Sequence, residues 1–114
     1  MALSFAQLFA LKQVNNAAPD TIYTVPASPT NNLLRNMRLR FANTTVGAVT
    51  IKAWAVPAAG TAADANVFLP TTSVAANSYI DVDVPQLAAG GFVQAQAGAA
   101  TSITVSGIDG FIQS

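Results

Sequence analysis

There is no cysteine and no histidine among the 114 residues, and every one of the five acidic side chains is an aspartate. Without cysteine there are no disulfides, no thiolate chemistry and no Cys-type zinc site, and the redox compartment is left open. Without histidine the chain lacks the usual general base and the commonest transition-metal ligand. Charge is scarce as well: charged residues make up 9 % of the chain, against about 25 % in an average soluble domain. Five basic residues cancel five acidic ones, so no global field draws nucleic acid or an acidic membrane surface. No apolar run approaches the roughly 20 residues that span a bilayer. The apolar residues 1–14 have no positive charge ahead of them and are interrupted by Gln7 and Lys12, which argues against an export signal.

What the chain does have is apolar and β-branched. Its hydrophobic fraction is 52 %, on a length that fits one domain and is small enough for a lone β-domain to gain from a partner. So lightly charged a surface is either covered by neighbouring subunits or dressed with the abundant Ser, Thr, Asn and Gln.

Residues 33–57, LLRNMRLRFANTTVGAVTIKAWAVP, organise the reading. Leu33, Met37, Leu39 and Phe41 share one parity, interrupted by Arg35, and Leu34, Asn36, Arg38 and Arg40 share the other. Alternation of this kind is the period of a strand with one face in a core. Val49, Ile51, Ala53 and Ala55 then alternate with Thr50, Lys52, Trp54 and Val56 until Pro57 ends the ladder. The Asn- and Gly-containing link between the two runs predicts a hairpin.

Elsewhere short strands are predicted over residues 21–25, 67–74, 78–84, 92–97 and 102–108, with Pro70 marking the second of these as an edge strand or irregular crossing. About seven short strands separated by turn signals indicate an all-β fold, an antiparallel β-sandwich of jelly-roll or immunoglobulin-like topology over residues 21–114. Residues 1–20 stand apart as an N-terminal arm. Phe5, Leu8, Phe9, Leu11 and Val14 are spaced for a short amphipathic helix, and an extended arm accommodates them equally well. The arm either packs on its own domain or reaches a neighbouring subunit or larger surface.

Few residues carry chemistry. Asp81 and Asp83 are the only close carboxylates, and on alternate positions of one strand they read as solvated surface charge. Arg38 and Arg40 have the same spacing, so the two stripes face each other as cross-strand ion pairs if their strands are neighbours, or meet across a subunit boundary if not. Lys52 and Trp54 form the other candidate pair. If Ile51 and Ala53 point inward, Trp54 points out as a subunit anchor or sugar-stacking platform; a bulge would make it core instead. Asp64 is expected to satisfy local backbone N–H groups rather than a calcium ion. The Asn43-Thr44-Thr45 sequon is formal only. No nucleophile has an activating partner, so the chain reads as a non-enzyme with no cofactor and no bound metal.

The string TIYTVPASPTNNLLRNMRLRFANTTVGAVTIKAWAVPAAGTAADAN, residues 21–66, resembles a pattern found in small virion proteins of tailed bacteriophages. A short strand ending in VPA, an alternating strand ending in a polar N-T turn and a β-branched strand ending in VP carry the resemblance. The later SVAANSYIDVDVPQLAAGGFVQAQAGAATSITVSG is similar to the second half of that pattern, and QLFALKQVNNAAPD to its leader. The resemblance implies a β-sandwich of a phage particle, a capsid decoration (cement) protein or alternatively a tail, fibre or spike component. The first hypothesis built on it is a homo-oligomer, expected as a trimer, bound to the major capsid protein at the capsid surface and made in the host cytoplasm; the balanced charge and the lack of a long apolar run leave neither nucleic acid nor membrane as an expected partner. Phe5, Leu8, Phe9, Leu11, Arg38, Arg40, Lys52, Trp54, Asp81 and Asp83 are the expected interface residues.

Overall fold

The computed structural model describes residues 7–114. Among these residues nine strands form two antiparallel sheets: β1 (Lys12–Gln13), β2 (Asp20–Thr24), β3 (Leu33–Asn43), β4 (Val49–Val56), β5 (Val67–Val74), β6 (Ser78–Asp83), β7 (Leu87–Ala88), β8 (Phe92–Ala97) and β9 (Ile103–Gln113). One sheet has the order β1-β9-β3-β6, with β7 pairing a further part of β3; the other has the order β2-β8-β4-β5. The pairs β1·β9, β2·β8, β3·β6 and β4·β5 are those of one long antiparallel hairpin, whose tip is the loop at residues 57–66. Rolling that hairpin up brings β9 beside β3 and β8 beside β4. This is the jelly-roll arrangement, and it decides between the two sandwich topologies left open by the sequence.

The core lies between the sheets. Leu34, Met37, Leu39 and Phe41 of β3 meet Ile51 and Ala53 of β4, Val93 and Ala95 of β8, and Ile103 and Val105 of β9. Alternation explains most of these positions, since successive strand residues point to opposite faces. At roughly 25 cal/mol per Å² of apolar surface, burying a large side chain such as Phe41 contributes on the order of 2–3 kcal/mol.

Two expectations are corrected here. First, β3 and β4 do not form a hairpin: they lie in different sheets, and residues 44–48 arch over the edge of the sandwich. Both strands have an apolar face, and facing each other across the core buries both at once. The arch is held by the buried Asn43, whose Nδ2 donates to Gly47 O at 2.8 Å and Val74 O at 3.0 Å. Its Oδ1 accepts from Thr45 N at 2.9 Å and Thr45 Oγ1 at 2.7 Å. An amide committed to these bonds inside the protein is no glycan acceptor.

Second, Leu33 is not on the core face; Leu34 is, with no exposed surface. Asn36 adopts φ +56°, and the β3·β9 register slips between Arg35 and Arg38. A bulge inserts one residue and inverts parity on either side of it. Asn is among the few residues that tolerate this left-handed backbone.

β5 is an edge strand as Pro70 indicated, with register shifts between Ile51/Ala53 and Ala53/Trp54 of its partner β4. Beyond the strand expected over residues 102–108, residues 109–113 extend β9 along the first half of β3. No helix among the described residues is long and apolar enough to cross a membrane.

Candidate interaction surface

Residues 7–14 form no helix, and a strand begins at Lys12. Val14 is buried, its N–H donates to Ile103 O at 2.8 Å, and β1 pairs Lys12 with Val105 and Gln13 with Thr104. Leu8 and Phe9 are half-buried against the core, with the Phe9 ring 6.3 Å from that of Tyr23. Burial of Tyr23 raises the pKa of its phenol. Leu11 projects into solvent at 63 % exposure. Phe5, the remaining arm residue of the expected interface, lies outside the described residues. A groove of about 260 Å³ separates residues 7–9 from Met37 and the Gly107–Gly110 segment of β9.

The two charge stripes meet within the chain. In the β3·β6 ladder Arg38 stands opposite Asp83 and Arg40 opposite Asp81. Arg38 Nε donates to Asp83 Oδ1 at 2.9 Å, and Arg40 grips Asp81 bidentately, Nε to Oδ1 at 2.8 Å and Nη2 to Oδ2 at 3.0 Å. The Arg40 hydrogen bonds hold the Asp81 carboxyl below the usual carboxylate range, against a smaller opposing effect of burial. The same contact raises the pKa of Arg40, which also lies 4.1 Å from the Tyr79 ring centre. This is the cross-strand alternative of the sequence reading. The pairing across a subunit boundary is not needed, because each guanidinium already has its carboxylate.

Trp54 departs from the expectation of an exposed anchor. Its parity is outward, on the face of β4 away from the core, yet it is only 6 % exposed and belongs to no inter-sheet cluster. The loop at residues 57–66 folds back on this face: Gly60 lies against Val56, and a 3-10 turn at Asp64–Asn66 contacts β4. Lys52 reaches over the indole, its Nζ 5.4 Å from the ring centre and 3.8 Å from Asp64 Oδ1. Asp64 thus serves an exposed ion pair.

Two residues absent from the expected interface become conspicuous. Four of the five cations have a carboxylate within salt-bridge distance: Lys12 with Asp20, Arg38 with Asp83, Arg40 with Asp81 and Lys52 with Asp64. The cation left over is Arg35 and the anion left over is Asp109. Arg35 Nη1 donates to Gln113 Oε1 at 3.0 Å, while its Nε is shielded from solvent without a hydrogen-bond partner. Asp109 is exposed and accepts from Gly110 N at 2.8 Å. Equal numbers of acids and bases conceal this in the sequence, where only the strand register can say which are paired. Among the described residues no three His, Cys, Asp or Glu side chains converge to hold a metal ion. No protein-family model, characterised protein or solved structure matches the chain.

Proposed function

We propose that this chain is a non-enzymatic structural protein of a phage particle, a capsid decoration protein that binds and stabilises the assembled head as a homo-oligomer. The observation that carries the reading is the N-terminal segment. It is tied into the sheet at Lys12 and Val14, yet leaves Leu11 projecting into solvent on a chain with almost no unpaired charge. Such a segment suits contact with a large apolar surface rather than free solution. Binding the assembled shell and not its separate subunits stabilises the shell by mass action, and repeated copies add avidity. A tail, fibre or spike component with a carbohydrate- or receptor-binding role would use Trp54 as its stacking platform, and a ring only 6 % exposed supports that alternative less well.

The test uses shells of the phage that encodes the chain, freed of it, mixed with the purified protein and sedimented. Saturable co-sedimentation at a fixed ratio, lost in Leu11→Asp while the variant stays folded, is the expected outcome. A folded protein that ignores the shells, or a Leu11→Asp variant that binds them normally, overturns the reading.

A further inference from the structure

We infer that the outer face of the β1-β9-β3-β6 sheet, at the end where β3 begins and β9 finishes, is a self-complementary surface that pairs with a second copy of this chain. Arg35 of each copy would meet Asp109 of the other.

The placement follows from register. Leu34 is buried and stands opposite Ile112, which packs on the core, so Arg35 and its register partner Phe111 point outward. Asp109 stands opposite Arg38, also on the outer face, but Arg38 is turned to Asp83. Leu33, half-buried, lies on that same face. One end of one sheet therefore carries a small apolar centre, Leu33 and Phe111, beside the two charged side chains that have no ion-pair partner among the described residues.

Those two charges have opposite sign and sit on neighbouring strands. A two-fold axis near Phe111 brings each against its complement twice, residue i to j and j to i, which is the requirement of an isologous contact. A contact in which one sign alone was left over would repel its own copy. Arg35 has reason to accept a carboxylate, since its guanidinium is bonded to the neutral acceptor Gln113 and, among the described residues, to no carboxylate. Two of the edge strands oppose self-pairing: β6 carries Asp81 and Asp83, and β5 carries Pro70.

The inference does not depend on the particle, and its test needs only the purified chain. Sedimentation equilibrium at about 100 μM protein in physiological salt should give twice the 11.7 kDa chain mass. Arg35→Asp and Asp109→Arg each set like charges together at both copies of the contact. Each is expected to weaken the dimer about 30-fold or more, or about 2 kcal/mol at 1.4 kcal/mol per tenfold. The double exchange, Arg35→Asp with Asp109→Arg, restores complementarity and should return to within about threefold of the original dissociation constant. Trp54 fluorescence reports whether each variant is folded, and Arg35→Gln, which only removes charge, replaces Arg35→Asp should that variant unfold. A monomeric or trimeric wild type, single exchanges that leave the dimer intact, or a double exchange as weak as the singles overturns the pairing.

Discussion

Asn43 should be the most sensitive polar position in the molecule, and the cost of removing it can be worked from its partners. Asn43→Ala deletes the bonds to Gly47 O, Val74 O, Thr45 N and Thr45 Oγ1. Gly47 is exposed, so water can replace that partner, and Thr45 Oγ1 keeps its own bond to Gly47 O at 2.9 Å. Val74 O has no such recourse, because Val74 is fully buried. A buried carbonyl left unsatisfied costs about 1–3 kcal/mol, and the lost bond to Thr45 N about 1 more, giving about 3 kcal/mol in all. With an unfolding entropy of about 2.1 cal/mol/K per residue, the 114 residues lose about 0.24 kcal/mol of stability per degree near Tm, so Tm should fall by about 12 °C. Urea unfolding followed by the fluorescence of the single, buried Trp54 measures this directly. Asn43→Asp keeps the acceptor for Thr45 but offers Gly47 O and Val74 O no donor, and should lose at least as much at neutral pH. An Asn43→Ala variant within about 1 kcal/mol of wild type would refute the view that this amide holds the arch between the sheets.

Two further outcomes follow from the β3 ladders. The depressed Asp81 carboxyl contributes stability above its unfolded value near 3.8, and that contribution is lost as pH falls through the lower folded value; Tm measured from about pH 6 to 2 should therefore decline less on the acid side in Asp81→Asn, and an unchanged acid limb would count against the Arg40 contact. Gly110 adopts φ +134°, and a Cβ there would lie 3.0 Å from Met37 Cα; Gly110→Ala should lose about 1–3 kcal/mol in a thermal melt, and a variant as stable as wild type would show that the β3·β9 bulge relaxes freely.

Leu33 and Trp54 show where sequence reading loses its grip. Alternation from Met37 to Phe41 and from Val49 to Ala53 located strands and inward faces, because a half-buried strand must repeat every two residues. The same rule misplaced Leu33, because the inserted residue at Asn36 inverts parity and nothing in the spacing of Leu33, Leu34 and Met37 announces it. Trp54 failed differently. Its outward parity was read correctly, but its burial depends on what packs on that face from elsewhere in the chain, which strand periodicity does not describe. The interface candidates divide along the same line: Arg38, Arg40, Asp81 and Asp83 were legible as matching stripes, whereas Arg35 and Asp109 stand out only after every other charge has been paired.

By itself, the sequence determined that the fold is all-β, with Pro57 closing one strand and Pro70 marking an edge, since residue type and spacing act locally on the backbone. Only the tertiary structure decided that β3 and β4 face each other rather than pair, that the sandwich is a jelly roll, and which two charges remain uncompensated. Strand pairing joins residues far apart in the chain, such as Arg35 with Phe111, and its choice rests on burying both apolar faces at once, which no single segment encodes.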